Sequence, residues 1–393
     1  FYKMKKIKIS ILGATGSIGT TSLNIIKRKI KSFEINILSA NKNYSKIVKI
    51  IKIFGPKIFI INNNKIYKKI KKNFKKNKKL KIYNNFNSIN LNKKINDITI
   101  SSISGIAGLS PTLKFIKTSK KILLANKEAI ICGWPLITAG AKKHKTEVIP
   151  VDSEHFSIFE LIKNESRDNI DMIYLTASGG PFVKVKKKLS DIKPKDAIKH
   201  PNWKMGKKIS INSSNLMNKI FEIIEAKKIF DLPYSMFGII IHPQSLIHGI
   251  VKYKNGLTKL LYHKPNMAIP ISNAIFNNKF LISDLNINDN LSELKNLEFL
   301  KPKYNQFPSI GILKHLKKNL NSTPIIINGA NEILVELFLQ KRIKYNQIIQ
   351  CLFTLLKDKK YKKYAIQRPK NLNDIIKIDK WSREFVKRKY GIR

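Results

Sequence analysis

The stretch IKISILGATGSIG, Ile7 to Gly19, decides how this chain is read. Ile7, Ile9 and Ile11 alternate with Lys8 and Ser10, which is the period of a strand, and the run ends in GATGSIG, 13–19. The residues that follow return Leu23, Ile26 and Ile30 at helical spacing, and FEINILSA, 33–40, is a second strand. Strand, glycine turn, helix and strand make a βαβ unit. The alternation continues with a helix near 44–54, strand KIFII at 57–61, a helix at 65–74, a strand at 97–103, a helix from Pro111 and strand KILLA at 121–125. Such an order implies an α/β protein whose N-terminal part is a Rossmann-like parallel sheet with helices on both faces.

Gly13, Gly16 and Gly19 sit between a strand and a helix, where a backbone without side chains can approach a pyrophosphate and the helix N-terminus offers unpaired N–H groups. The second strand is followed by Asn41, Lys42 and Asn43, with no acid to hold a ribose 2′-hydroxyl. Lysine and amides suit a 2′-phosphate, so NADPH is the coenzyme expected. ANKEA, 125–129, follows strand KILLA at the sheet edge where ligands bind. Lys127 and Glu128 read equally well as functional groups or as surface charges behind a capping Asn126.

The chain has 393 residues and a formal charge of +51, from 76 Lys plus Arg against 25 Asp plus Glu. That charge is nearly all lysine, spread from end to end among Ile and Asn. Nucleic-acid sites favour clustered arginine, so the excess reads as compositional bias, and no nucleic-acid partner is expected. A basic nucleic-acid-binding protein on a Rossmann-like core stays the rival reading from a different class. Cys132 and Cys351 are the cysteines, too few for a disulfide framework or a thiolate metal site. No apolar stretch of signal length precedes Gly13 and no run reaches membrane-span length, so a cytoplasmic location without membrane contact is expected.

Beyond residue 150 the texture changes. VDSEHF, 151–156, sets Asp152 and Glu154 two residues apart; in an extended segment both carboxylates would face one point, which suits a hard cation, while an isolated D-x-E reads equally as solvated acids of a loop. Strand-like DMIYLTA, 171–177, ends in SGGPF. A polar loop then leads to a helix from about 214 to 230, on which Asn218 and Lys219 share a face with Glu222. Strands FGIIIH and HGIVKY follow, with His242 and His248 read as hydrogen-bonded structural histidines at strand ends. Residues 277–305 are Asn-, Lys- and Leu-rich with turns and read as a linker, and 306–393 as a helical domain.

GATGSIG, LLANKEA, PVDSEH, TASGGPF, HPNWKMGKKI, NSSNLMNK, IHPQSLIH and NGANEI occur in one order over nearly the whole chain. Together they resemble the 1-deoxy-D-xylulose 5-phosphate reductoisomerase family of the non-mevalonate isoprenoid route. The resemblance implies an NADPH-binding domain at 1–150, a central α/β catalytic and metal-binding domain at 151–276, the linker at 277–305, the C-terminal helical domain and a homodimer. It also implies that Asp152, Glu154 and Glu222 are ligands of Mg²⁺ or Mn²⁺. Ser178, His200, Ser213, Asn218 and Lys219 fall where the family holds the substrate phosphate, and Lys127 and Ser153 where it contacts substrate oxygens. Lys127, Glu154, His200 and Trp203 take the catalytic positions, with Trp203 on a loop, HPNWKMG, that closes over the sugar phosphate. Thr15, Gly16, Ser17, Ile18, Asn41, Lys42, Asn43, Asn126, Glu128 and Gly206 fall on the coenzyme side. The chain departs from the family at Asn41 and Ile220, where glycine is usual. Another NADP-dependent oxidoreductase with a metal-assisted site is the rival among enzymes.

Overall fold

In the computed structural model, the alternation that begins at Ile7 becomes a seven-stranded parallel sheet. The structure describes residues 6–91, 94–183, 188–199, 203, 206–285, 287, 291–316, 318 and 320–392. The elements of the sheet run β1 (Ile7–Leu12), α1 (Ser17–Arg28), β2 (Phe33–Ala40), α2 (Tyr44–Phe54), β3 (Ile58–Ile61), α3 (Asn64–Asn73), β4 (Lys81–Tyr83), β5 (Asn96–Ser101), α4 (Leu109–Ile116), β6 (Ser119–Leu124), α5 (Lys127–Lys143) and β7 (Glu147–Pro150). Strand order is β4-β3-β2-β1-β5-β6-β7. The winding therefore reverses between β1 and β5, and the carboxyl end of β1 opens at the switch point where such sheets bind ligands. Ile9 pairs with Ile35 on one side and Ile98 on the other, so β1 has no free edge and its residues from Ile9 to Leu12 are buried. The outer strands β4 and β7 escape a reading by pattern, because three or four residues are too few to display an alternation.

The chain continues as α6 (Ser153–Ile162), β8 (Ile170–Ala177), α7 (Pro194–Ala197), α8 (Lys207–Ser214), α9 (Met217–Phe230), β9 (Phe237–Ile241), β10 (Ile247–Tyr253), β11 (Thr258–Tyr262), α10 (Ala268–Phe276), α11 (Ile312–Leu316), α12 (Thr323–Leu339), α13 (Tyr345–Lys357), α14 (Tyr361–Ala365) and α15 (Leu372–Lys389). One compact unit comprises 1–129, 134–152 and 267–288; the other comprises 130–133, 153–266 and 289–393. Helix α10 falls within the span read from sequence as the central domain, yet it packs on α1, and its Ile271, Ala274 and Ile275 join the core of the parallel sheet with Ile11, Ile26 and Leu38. The local sequence of α10 carries no sign of which sheet its apolar face meets.

In the second unit β10 lies antiparallel to β8 and β11, while β9 runs parallel to β8. Ile158 of α6, Ile223 and Phe230 of α9, and Val251 of β10 form the core. In the C-terminal part α12 packs against α13 and α15. Gly329 allows that approach: a Cβ there would lie 2.3 Å from the Ser382 hydroxyl and 2.6 Å from an Asp379 carboxylate oxygen.

Two expectations are corrected. The helix expected from about 214 to 230 is α9, which starts at Met217, and a separate helix, α8, occupies Lys207–Ser214 where a loop was expected, with the break at Asn215 and Leu216. Leu216 has φ 61°, a left-handed conformation that costs about 1–2 kcal/mol, and its buried side chain offsets that by about the same amount. VDSEHF is not extended, because Ser153 already begins α6.

Candidate active site

In the first unit the glycine turn is clamped at the switch point. The Gly13 N–H donates to the Ser39 hydroxyl at 3.0 Å, and the Ser102 hydroxyl donates to the Leu12 carbonyl at 2.7 Å. Gly13 has φ 90°, and a Cβ there would lie 2.9 Å from the Ser102 carbonyl oxygen. Gly16 caps α1 with no side-chain partner and no acid in the first turn, which leaves Thr15 to Ile18 as a cradle of backbone around a helix N-terminus. At the end of β2, Asn41 and Lys42 are exposed, and Asn43 caps α2 by accepting from the Lys46 N–H at 3.0 Å. Asn41 has no positive φ, so the residue that replaces the usual glycine imposes no strain.

Past β6, the buried Asn126 caps α5 by accepting from the Ala129 N–H at 2.9 Å and donates to the carbonyls of Ile103 and Gly105. That geometry places Lys127 and Glu128 in the first turn of α5. The Lys127 ammonium pairs with the Asp152 carboxylate at 3.1 Å.

In the second unit, α6 and α9 bring the charged groups together. Lys219 reaches Glu154 at 2.5 Å and also pairs with Glu222, one helical turn along α9. Asn218 donates to the other oxygen of Glu222, and the Ser153 hydroxyl donates to Glu154 at 2.5 Å. The shared face of Asn218, Lys219 and Glu222 is as the helical spacing predicts. Its burial is not a surface ion pair's: the side chains of Lys219 and Glu222 are 4% and 1% exposed. Burial works to raise the Glu154 carboxyl, but the Lys219 ammonium outweighs it and, with His248 and two hydrogen bonds, holds Glu154 well below the usual carboxylate range. Burial works to lower the Lys219 ammonium, and the two carboxylates reverse that, so it stays charged. Asp152 stands one residue before α6, and Asp152, Glu154 and Glu222 each offer a carboxylate oxygen within 4.8 Å of the others.

An alternative set, Asp152, His155 and Glu225, meets the same distance. There the His155 Nε2 is 2.9 Å from the Glu222 carbonyl oxygen, and a mixed set with an imidazole suits softer metals. The three carboxylates suit a hard cation such as Mg²⁺ or Mn²⁺. Sequence reading passed over His155 and Glu225, although His155 is three residues from Asp152 and Glu225 three from Glu222, the spacing that puts each on its partner's side of a helix.

Behind Glu154, His248 and His263 stack with ring centroids 3.8 Å apart, and the edge of Trp203 meets His248 at 6.0 Å. The His248 Nε2 contacts the His263 carbonyl at 3.1 Å, as a structural histidine should. Burial, and then His263 beside it, push His248 down to about 3. A histidine held neutral by the fold contributes fully above its unfolded value near pH ~6.5, and that contribution is lost as pH falls toward the folded value. Acidification below about pH 6 is therefore expected to lower unfolding free energy by about 1.4 kcal/mol per pH unit for this one group. Urea unfolding at graded pH checks this. His248→Asn should flatten the slope, and an unchanged slope in the variant would show that His248 takes up its proton in the fold.

The remaining positions are placed as follows. After β8 the Ser178 hydroxyl accepts from the Gly180 N–H at 3.1 Å, within a turn where Gly179 and Gly180 both have positive φ. Ser213 lies near the end of α8, whose N-cap is Gly206. Ile220 is fully buried within α9. His200, with 201–202 and 204–205 of the expected closing loop, lies outside the described residues. Both cysteines are buried, and neither is in a disulfide.

Family descriptions fall on the chain in order: 1-deoxy-D-xylulose 5-phosphate reductoisomerase on residues 9–133, the C-terminal domain of that enzyme on 148–230, and the DXP reductoisomerase C-terminal domain on 263–385. The chain is 47% identical over 378 residues to the 1-deoxy-D-xylulose 5-phosphate reductoisomerase of Pelagibacter ubique (strain HTCC1062), covering 95% of this chain and 96% of that one. It is 38% identical over 390 residues to the same enzyme of Clostridium botulinum (strain Loch Maree / Type A3), covering 98% and 99%. Its fold is similar to the Zymomonas mobilis enzyme in complex with NADPH, with TM-score 0.88 and 30% identity over 98% of this chain and 99% of that one. It is also similar to a DOX-P reductoisomerase in complex with NADPH, fosmidomycin and magnesium, with TM-score 0.91 and 30% identity over 98% of each chain. This chain belongs to the 1-deoxy-D-xylulose 5-phosphate reductoisomerase family.

Proposed function

We propose that this protein rearranges 1-deoxy-D-xylulose 5-phosphate to a branched aldehyde and reduces it with NADPH to 2-C-methyl-D-erythritol 4-phosphate. The observation that carries the reading is the buried set of Glu154, Lys219 and Glu222, with Asp152 beside it. A divalent cation held there stabilises negative charge on adjacent oxygens of a ketose phosphate, and NADPH supplies hydride. Glu154 stays ionised beside Lys219, so it offers a carboxylate rather than a carboxylic acid. Asn218 fixes one oxygen of Glu222 and so orients the other. Lys127, ion-paired with Asp152, and Ser153, hydrogen-bonded to Glu154, stand next to the ligands, where substrate oxygens would be held. Ser178, His200, Ser213, Asn218 and Lys219 hold the phosphate, and Trp203, whose ring meets that of His248 at 6.0 Å, belongs to the loop that closes over the substrate.

The first unit takes the coenzyme through Thr15 to Ile18, Asn41 to Asn43, Asn126 and Glu128; Gly206, the N-cap of α8, is a coenzyme-side residue by family resemblance. Manganese is a second metal that the all-oxygen set accepts. A homodimer is favoured by β11, an outer strand of the four-stranded sheet that exposes Leu257 and Leu260 beside its open edge. A cytoplasmic location is in keeping with two cysteines, Cys132 and Cys351, that are buried and outside any disulfide.

Loss of NADPH absorbance on adding 1-deoxy-D-xylulose 5-phosphate and magnesium tests the function directly. Turnover should need all three components. NADPH oxidation independent of the sugar phosphate or of metal would overturn the reading. For coenzyme choice, a charge-assisted contact contributes about 1.5–3 kcal/mol. Lys42→Ala is therefore expected to weaken NADPH binding about ten- to a hundredfold and NADH binding much less. Titration of both coenzymes by fluorescence checks this, and equal losses would remove Lys42 from the 2′-phosphate site.

A further inference from the structure

We propose that Tyr345, in the C-terminal helical part of the chain, is a positioning residue that fixes the spacing between the Ser178 turn and the Ser213 end of α8. This rests on the reading above that Ser178 and Ser213 hold the substrate phosphate. Tyr345 opens α13 and is buried. Its hydroxyl lies 2.9 Å from the Ser214 hydroxyl, next in the chain to Ser213. Its ring meets the edge of Phe182, in the SGGPF turn, with centroids 5.7 Å apart, and is backed by Phe338 of α12 at 5.5 Å. One side chain thus touches both of the phosphate-holding elements.

Those elements also touch each other. A Cβ on Gly180 would lie 2.8 Å from Cα of Ser214, and the Gly180 N–H is the donor that orients the Ser178 hydroxyl. The direction of the Tyr345 bond follows from proton supply. Ser214 donates its one hydroxyl proton to the Ile211 carbonyl at 2.7 Å, so Tyr345 is the donor to Ser214. Burial raises the Tyr345 phenol, so it keeps that proton throughout the working pH range. Two more contacts tie α8 to α12: Asn331 donates to Asn212, in the same last turn as Ser214, at 3.0 Å, and Lys208 in the first turn pairs with Glu332 at 2.5 Å. Tyr345 is the side chain that bridges this end of α8 to the Ser178 turn, bonding Ser214 on one side and packing on Phe182 on the other.

The test uses full-length enzyme with NADPH and magnesium. Tyr345→Phe keeps the ring and removes the donor. It is expected to raise KM for 1-deoxy-D-xylulose 5-phosphate about fivefold and the inhibition constant of inorganic phosphate by the same factor, with kcat and NADPH affinity changed by less than about twofold. Turnover of the dephosphorylated sugar, which has no phosphate to fit, should keep its kcat/KM. A purely structural role would instead lower the melting temperature and reduce kcat/KM for both sugars alike. Ser214→Ala removes the acceptor from the other side, and combined with Tyr345→Phe it should add no further loss. Ser213→Ala separates this proposal from the reading beneath it. If Ser213→Ala leaves KM and phosphate inhibition unchanged, the phosphate assignment fails. If Ser213→Ala raises both and Tyr345→Phe raises neither, the assignment stands and the positioning role is overturned.

Discussion

Glu154→Gln is expected to reduce turnover by about a hundredfold or more while leaving NADPH binding within about twofold of the parent. The substitution preserves shape and removes the charge. Glu154 is kept as a carboxylate because Lys219 faces it at 2.5 Å and Ser153 donates to it, so in the parent it is a ready ligand with no proton to displace. An amide oxygen at that position is a weaker donor to a hard cation, and the proposed site would then hold the metal chiefly through Asp152 and Glu222. Loss of one carboxylate should appear first as a rise in the magnesium concentration needed for half-maximal rate, and at saturating magnesium as a lower kcat. NADPH is insulated from this change because its proposed backbone cradle at Thr15 to Ile18 uses none of these groups. A magnesium titration of NADPH oxidation, alongside a fluorescence titration of NADPH, reads both quantities. Parent-like turnover of the variant at low magnesium would remove Glu154 from the ligand set.

Lys219→Met should have the largest effect on stability. Its ammonium is buried between two buried or half-buried carboxylates, and deleting it leaves Glu154 and Glu222 facing each other with oxygens inside 4.8 Å and no compensating charge. Breaking a buried ion pair from one side costs about 3–5 kcal/mol. The pH dependence separates this from a simple packing defect. In the parent, Glu154 titrates below its unfolded value, so its contribution is present above about pH 4.3 and is lost as pH falls. In the variant, burial and like-charge repulsion push one carboxyl above its unfolded value. The contribution is then present at low pH and lost as pH rises. The variant should therefore gain stability relative to the parent on going from pH 8 to pH 5, and millimolar magnesium should restore part of the loss at pH 8. Thermal unfolding in chelator and in magnesium at the two pH values measures both. A deficit that is constant across pH and metal would mean that Lys219 is a packing residue rather than the counter-charge of the two acids.

What could be read from sequence shares one property: it depends on residues close together in the chain. β1, the turn at Gly13 and α1 lie in succession, and their apolar periods of two and of three to four report local geometry directly. The Lys219–Glu222 pair was legible for the same reason, being one turn of a helix. The proposed ligand set and the proposed phosphate-side residues were reached by resemblance, which carries positions but no distances. Tertiary structure decided the rest. VDSEHF runs into a helix whose Ser153, His155 and Phe156 are buried, His155 against Glu222 and Phe230 of α9, and no periodicity of six residues distinguishes that from an extended segment. The break at Leu216 holds because a buried leucine offsets its left-handed backbone. The addition of α10 to the parallel sheet, the stacking of His248 on His263 and the reach of Tyr345 to Ser214 all join residues far apart in sequence. Burial, which turns the Lys219 ion pair from a surface ornament into a coupled charge cluster, belongs to the packed molecule; a hydrophobic face specifies that it will be covered, and only the fold specifies by what.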